Sequence, residues 1–328
     1  MDRRLRYGLL GVGLFLLLFA LIERAYTYPR LAKAPIGVYS APMAEGIGSY
    51  FDTGRLEMVR GARLRTTRVV KGDRGVGRPR VAVWDMFLNT VDLDSGRRLS
   101  LIQERVVFDR VSGLPVRCCG ESPRHDGIML NFPFGTRRAT YAFWDPVAAR
   151  SAPVHFVREE QLEGLRTYRF EQRIRGARLR PVDLPGSLAG QPGVDSIATF
   201  VVLDDDKTVW VEPVTGRIIK GQDHSRQTVR DAAGTTYLTA FDAALTYTDD
   251  TVAGNVAAAR DDLGGLRLAG VVLPVTAGLL GALLLAIGLL APASRHPALA
   301  LALDRPEPGR GMWVVGRDGV AERLGPGA

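Results

Sequence analysis

Signatures of the common enzyme classes are missing from this sequence. It has no Gly-x-Ser-x-Gly nucleophile elbow, no Ser-x-x-Lys with partner residues and no phosphate-binding loop. The nearest match, Gly-Ser-Leu-Ala-Gly at residues 186–190, has the serine at the wrong position. His155 stands between Val154 and Phe156 in an alternating run, which is typical of a strand residue rather than of a catalytic base. We therefore predict that the protein is not an enzyme.

Cysteine is nearly absent, and the only two cysteines, Cys118 and Cys119, are adjacent. Glu121 and His125 follow them closely, so thiolate, carboxylate and imidazole groups lie near one another. The C-x₂₋₄-C spacing of a zinc site is absent, however, and adjacent side chains cannot easily direct two thiolates at one tetrahedral ion. We predict neither a metal nor a cofactor. In an oxidising compartment we expect the two cysteines to be bonded to each other or to remain a pair of thiols.

Clusters of one charge are also missing, although the formal net charge is +8. Nucleic-acid binding requires a basic stripe or a recognisable module, and the sequence has neither, so we exclude nucleic acid as a partner. A mild, scattered basic excess keeps a domain soluble and suits a surface that faces anionic lipid.

Charged residues are absent from residues 7–22 and 268–293. The first run is slightly short for a membrane span, but Glu23 and Arg24 can reach the headgroups, which extends it to residues 7–26. The second run is long enough to span with some tilt. We predict two transmembrane helices, at residues 7–26 and 268–293.

The basic residues that flank these segments predict their orientation. Arg3, Arg4 and Arg6 precede the first segment and Arg295 follows the second, so the positive-inside rule places both ends in the cytoplasm. A cleaved signal peptide is the alternative for the first segment, but no small-residue cleavage site follows it directly. We therefore expect a two-pass protein of the cell membrane, with a cytoplasmic N-terminus (1–6), an extracytoplasmic domain (27–267) and a loosely ordered cytoplasmic tail (294–328).

Long amphipathic helical patterns are scarce in residues 27–267, and alternation with period two is common. It predicts strands at residues 64–70, 80–88, 99–108, 167–172 and 208–211. The fold class that we predict is therefore mainly β: an antiparallel β-rich domain between two terminal transmembrane α-helices. Within it we expect a short helix at residues 159–164 and a helical approach to the second span at residues 255–263. Asp204, Asp205 and Asp206 favour a solvated turn over a calcium loop, which needs more ligands.

Four aromatic side chains are candidates for contact with an apolar ligand. Phe132 and Phe134 belong to a Phe-Pro-Phe-Gly tract, and Phe143 and Trp144 follow nearby. Such a stretch can line a cavity for a lipid chain, whereas the ordinary alternative is the core of a β-domain.

Several tracts together resemble the porin PorA family, an actinobacterial family of membrane proteins without an established activity. The tracts are Tyr28-Pro29-Arg30-Leu31, Cys118-Cys119-Gly120-Glu121, Phe132-Pro133-Phe134-Gly135-Thr136, Phe143-Trp144-Asp145, Glu163-Gly164-Leu165-Arg166-Thr167-Tyr168 and Trp210-Val211-Glu212-Pro213. The resemblance covers residues 1–292 and implies an envelope protein with two spans and an extracytoplasmic β-rich domain. In architecture alone the chain is also similar to the scavenger-receptor class B family, which raises the expectation of lipid handling.

Three hypotheses for function follow. The first is a non-enzymatic module whose extracytoplasmic domain binds or transfers an apolar envelope molecule, a membrane lipid. The second is a porin-like channel subunit, although a pore needs a closed barrel or an oligomer and two helices anchor this domain. The third is a structural or scaffolding protein with other envelope proteins as partners.

Overall fold

A long helical segment at each end flanks a β-rich middle in the computed structural model of the chain, which describes residues 2–291, 313–315 and 321–323. The first segment comprises α1 (Arg3–Ile22), a π-helical turn (Glu23–Thr27) and α2 (Tyr28–Leu31). The second comprises α3 (Asp249–Arg267), a π-helical turn (Leu268–Val272) and α4 (Leu273–Leu290). Thr248 caps α3, because its side chain accepts a hydrogen bond from the backbone N–H of Thr251.

Both helical segments are long and apolar enough to cross a membrane. Their large side chains remain outside the packed core: Phe15 is 65% exposed, Leu279 69% and Leu290 82%. Apolar surface of this extent is unfavourable in water and favourable in hydrocarbon, so the two helices fit a membrane protein. They contain the predicted spans, except that residues 292 and 293 lie outside the described part of the chain.

The two segments pack against each other in antiparallel fashion. A Cβ atom built on Gly13 would lie 2.8 Å from the carbonyl oxygen of Gly281, so the backbones approach closely there. Arg6 donates a hydrogen bond from Nε to the carbonyl oxygen of Gly288 at 2.8 Å, while Tyr28 lies against Gly270 at the opposite end. The helix ends remote from the sheet therefore lie together.

Eleven strands form one antiparallel sheet between the helices. They are β1 (Tyr39–Ser40), β2 (Met43–Asp52), β3 (Glu57–Gly72), β4 (Val81–Asp92), β5 (Arg98–Asp109), β6 (Tyr141–Asp145), β7 (Arg150–Leu162), β8 (Leu165–Pro185), β9 (Ser196–Val211), β10 (Ile218–Arg230) and β11 (Thr236–Tyr247). The order across the sheet is β5-β4-β3-β2-β11-β10-β9-β8-β7-β6, and β1 pairs with β3. The predicted fold class, mainly β between two terminal helices, is confirmed.

Residues 113–130, called here the bridging segment, belong to the connection between β5 and β6, the two edges of this curled sheet, and pair with both edges. Its first half pairs with β5, since Pro115 lies opposite Phe108 and Ser122 opposite Arg105. Its second half pairs with β6 through Ile128 and Phe143. Both edges thus have backbone hydrogen-bond partners, which removes the aggregation hazard of an open edge.

The inner face of the sheet carries the core. On β3 the alternation places Leu64 and Val70 on this face, both nearly inaccessible to water. Trp84 and Met86 of β4 pack in one cluster with Trp144, which comes from the other edge of the sheet. The sheet therefore curls far enough for its two edge regions to share a core.

The outer face carries ion pairs instead. On β8, Arg169 pairs with Glu171 at 2.7 Å, and Arg173 contacts both Glu171 and Asp206 of β9. Arg175 also pairs with Asp206, with its Nη2 2.5 Å from Oδ1 of that carboxylate. A charged outer face of this kind is suited to water and not to the hydrocarbon of a bilayer.

Two local predictions are wrong. Residues 159–164 are not helical: they end β7 and enter a tight hairpin, in which Glu163 and Gly164 adopt φ values of 48° and 75°. The aspartates 204–206 do not form a turn but lie within β9. The helical approach to the second span at residues 255–263 is confirmed, because α3 contains it.

The predicted cytoplasmic tail, residues 294–328, lies outside the described residues apart from two short strands. These are β12 (Trp313–Val315) and β13 (Ala321–Arg323), which pair antiparallel.

Candidate functional site

The inner face of the curled sheet encloses a cavity of about 590 Å³. Strands from both halves of the sheet line it: Ala44 of β2 and Leu88 of β4 on one side, Val209 of β9 and Val229 of β10 on the other. A volume of this size is typical of sites for small molecules.

The cavity runs from the helix end of the domain to the opposite end. Ala44 and Tyr247 line it where β2 begins and β11 ends, next to the two helical segments. Leu56, in the turn between β2 and β3, and Leu188, in the turn between β8 and β9, line it at the far end. One continuous cavity therefore connects the membrane side of the domain to its far turns.

Most of the wall is apolar, with polar groups at defined places. Thr66 and Thr90 face each other across β3 and β4, with their hydroxyl oxygens 2.8 Å apart. Arg68 also lines the cavity near its helix end, and Arg98 and Arg180 line it at the far end. Such a mixture suits a molecule that is mainly apolar and carries a polar group.

A buried lysine forms one part of the wall. Lys207 of β9 pairs with Asp145, its Nζ lies 3.7 Å from Asp205 Oδ2 and 4.0 Å from Asp223 Oδ2, and its side chain is 10% exposed. Burial would lower the pKa of Lys207, but the charges of these aspartates outweigh burial and raise it. Lys207 is therefore a cation at neutral pH, neutralised by its own neighbours.

The pKa values of Asp145 and Asp205, two of the aspartates around Lys207, are shifted in opposite directions. Burial would raise the pKa of Asp145, but the charge and the hydrogen bond of Lys207 outweigh it and hold that pKa below its usual value. Burial raises the pKa of Asp205 to about 8; Lys207 opposes this shift, whereas Asp223 and Asp145 add to it. At neutral pH the cluster therefore contains the ion pair of Lys207 with Asp145 and a protonated Asp205.

A second buried polar group lies where the bridging segment meets the sheet. Glu104 of β5 accepts a hydrogen bond from Trp144 Nε1 at 3.2 Å, and its Oε2 lies 3.2 Å from His125 Nε2. His125 is also held by Glu121, whose Oε1 accepts from the backbone N–H of His125 at 2.9 Å. These contacts hold the edges together but do not line the large cavity.

Cys118 and Cys119 are bonded to each other in the bridging segment. The carbonyl oxygen of Cys119 accepts a hydrogen bond from Nε of Arg105 at 3.2 Å. Arg105 also pairs with Asp73 and Asp85. The cysteine pair is thus attached to β5 outside the cavity.

The structure brings together two of the four aromatic residues predicted to bind a ligand: the rings of Phe132 and Phe143 stack with their centroids 5.5 Å apart. Phe143 lines the large cavity. Phe132 is fully buried and its ring lies 4.9 Å from that of Phe170, while Trp144 and Phe134 belong to the core cluster of β4 and β5. Contact between these residues and a ligand stays a prediction, for which Phe143 has the most suitable position.

Arg68 and Lys207 were missed as candidates, although a signal for the first was present. The alternating run at residues 64–70 places Arg68 on the same face as Leu64 and Val70. A charged residue among the apolar positions of a strand indicates a functional site. For Lys207 the alternation gives a weaker signal, because the strand predicted at residues 208–211 begins just after it.

Comparison with known proteins supports the resemblance to the porin PorA family along most of the chain. Residues 7–290 match the Porin PorA family. Porin PorA of Corynebacterium resistens is 25% identical over 264 residues, which covers 58% of this chain and 64% of that protein. Porin PorA of Corynebacterium amycolatum is 27% identical over 120 residues, covering 29% of this chain and 31% of that protein. The matched part is thus less than two thirds of either relative. The chain belongs to the Porin PorA family of envelope proteins.

Proposed function

We propose that this protein binds the apolar part of an envelope lipid in the cavity of its curled sheet and passes it between the membrane and the far end of the domain. One observation carries the proposal: a single cavity reaches from Ala44 and Tyr247, beside the helical segments, to Leu56 and Leu188 at the far turns. Apolar lining favours hydrocarbon chains over water. No covalent chemistry is required.

The proposal places the domain outside the cytoplasm. Support comes from Arg3, Arg4 and Arg6 before α1 and from the antiparallel packing of the helices, which brings both outer ends to one side. An epitope inserted in the far turn at residues 231–235 should be digested by protease added to intact spheroplasts, while an epitope at the C-terminus should be protected. The reverse pattern would contradict this orientation.

The lipid itself is tested by native mass spectrometry of the full chain extracted in detergent. We expect a co-purified molecule with an apolar chain in the wild-type protein. Ala44→Trp places a large side chain in the cavity and should abolish this adduct. The absence of any adduct in the wild-type protein would contradict the proposal.

A matched control comes from the neighbouring strand. Ala244 lies on β11, is exposed and does not line the cavity. Ala244→Trp introduces the same side chain on the outer face and should leave the adduct unchanged. Equal loss in both variants would mean that the lipid is not held inside the sheet.

A channel is the second candidate, favoured by the family to which the chain belongs and by the continuity of the cavity. The ion pairs of Arg169, Arg173 and Arg175 on the outer face suit water, so a channel would have to run through the inside of the domain rather than through a sheet embedded in lipid. Conductance across planar bilayers, measured at known oligomer size, distinguishes the two functions. Channel steps that Ala44→Trp blocks and Ala244→Trp preserves would favour the channel.

A further inference from the structure

Arg68 is a charged residue on the inner face of β3. Its neighbours on that face are Thr66 and the buried Val70, and Leu88 lies opposite it on β4. Arg68 is half-buried, and moving the charge of an arginine out of water without a partner is costly. Its position in the cavity wall therefore requires an explanation.

The guanidinium of Arg68 has no protein partner in the described part of the chain. Its Nε is buried and makes no hydrogen bond, and no carboxylate oxygen lies within 4.0 Å of its nitrogens among the ion pairs of residues 2–291. A buried donor left unsatisfied is destabilising, and more so when it belongs to a charged group. A ligand that supplies an acceptor would remove this cost.

The other charges of the cavity differ from Arg68. Lys207 is neutralised by Asp145, and Arg97 pairs with the buried Asp52. Arg98 and Arg180 are exposed at the far end, where water can solvate them. Among the basic residues that line the cavity, Arg68 is thus the one that is neither exposed nor paired with a carboxylate in the described residues.

Resting on the proposed function, we propose that Arg68 binds the anionic head group of the amphiphile whose apolar chain fills the cavity. A carboxylate or a phosphate monoester supplies two or more oxygens to the planar fork of a guanidinium, which donates several hydrogen bonds at once. The ligand class is therefore a single-chain or double-chain amphiphile with an acidic head.

The position of Arg68 along the strand defines how this ligand lies. Its backbone N–H donates to the carbonyl oxygen of Pro42, the residue just before β2, so Arg68 is at the helix end of the cavity. The head group then lies near the membrane surface, and the apolar chain extends towards Leu188 and Leu56. An amphiphile that leaves the membrane and enters the cavity with its apolar chain first would take this orientation.

The experiment uses the full chain in detergent and tests four probes for displacement of a bound fluorescent fatty acid: hexadecanoate, hexadecyl phosphate, hexadecanol and inorganic phosphate. We expect the two acidic amphiphiles to bind about 10-fold or more tightly than hexadecanol, as for a hydrogen bond to a charged group. Inorganic phosphate should not compete, because it lacks the chain. Competition by inorganic phosphate alone would show a free-anion site and overturn the proposal.

Three variants locate the head group. Arg68→Gln should remove the preference for the acidic probes and leave hexadecanol binding unchanged, which also shows that the variant is folded. Arg68→Lys should retain part of the preference. Arg63→Gln, on the exposed outer face of the same strand, should behave as the wild-type protein.

The outcomes separate this inference from the proposed function. If hexadecanol binds as well as hexadecanoate in the wild-type protein, the role of Arg68 is wrong and lipid binding stands. If Arg180→Gln and not Arg68→Gln removes the preference, the head group lies at the far end and the proposal is overturned. If no chain-bearing probe binds, the proposed function itself fails.

Discussion

The Nε2 of the buried His125 lies 3.2 Å from Oε2 of the buried Glu104, and this pair joins the bridging segment to β5. Trp144 Nε1 donates to the same carboxylate at 3.2 Å, so a single side chain connects β5, β6 and the segment between them. This junction links the two edges of the sheet that encloses the cavity.

Removing the carboxylate should therefore weaken the closure. Glu104→Leu leaves the indole N–H of Trp144 and Nε2 of His125 without their partner, and we expect a loss of about 2–4 kcal/mol in the free energy of unfolding. Denaturant unfolding in detergent, followed by tryptophan fluorescence, measures it. Glu57→Leu, at a surface ion pair with Arg55, should cost less than about 0.5 kcal/mol, and equal losses would contradict the importance of the junction.

Lys207 should be required for stability. Lys207→Met leaves Asp145 and its neighbours without a cation in a buried place, and we expect a loss of about 3–5 kcal/mol. The double variant with Asp145→Asn should recover part of this loss, because it removes the negative charge as well. Additive losses from the two substitutions, measured by thermal unfolding, would show that the residues do not interact.

Asp205 should make stability dependent on pH. Its pKa is raised to about 8 in the fold by burial, so between about pH 4 and pH 8 the unfolded chain releases this proton while the folded chain keeps it. The contribution of Asp205 to stability therefore falls across this window and is constant above it. Asp205→Asn cannot ionise, so its stability relative to the wild-type protein should rise from pH 4 to pH 8.

Infrared spectroscopy gives a direct reading of the same proton. At pH 7 a protonated carboxyl band should be present in the wild-type protein and absent in Asp205→Asn. A stability difference that is flat with pH, together with no such band, would contradict a protonated Asp205.

Close packing of the two helices should depend on Gly13. A Cβ there would lie 2.8 Å from both the carbonyl oxygen of Gly281 and Cγ of Leu285, so Gly13→Leu must separate the helices. We expect a lower midpoint for thermal loss of the helical circular dichroism signal. Gly11→Leu is the control, since nothing lies within 4 Å of a Cβ at that position. Equal midpoints in the two variants would contradict the helix pair.

The elements that sequence alone predicted are those with a strong periodic pattern. The charge-free segments predicted the helices, and the alternation at residues 64–70 and 80–88 predicted β3 and β4. The prediction for residues 159–164 is wrong because their charges suggested a helical turn, whereas in the structure the charged Glu160 lies on a strand. Its carboxylate accepts a hydrogen bond from Trp210 Nε1 at 2.5 Å.

The site was harder to predict because it is made by the curl of the sheet. Arg68 and Lys207 are distant in sequence and line one cavity only because β3 and β9 lie in opposite halves of a curled sheet. The aspartates 204–206 resembled a turn, yet Asp204 pairs with Arg230 and Asp206 with Arg175, and these partners come from other strands. Such pairings depend on strand order, which local pattern does not reveal.

The most direct test of the central claim, that the cavity holds an apolar chain, is the dependence of affinity on chain length. For a series of straight-chain carboxylates binding to the full chain, affinity should rise roughly fourfold per methylene group and become constant once the cavity is full. Ala44→Trp should shift this limit to a shorter chain, while Ala244→Trp should not. The same length dependence in all three proteins would mean that the chains bind elsewhere, and it would contradict the account.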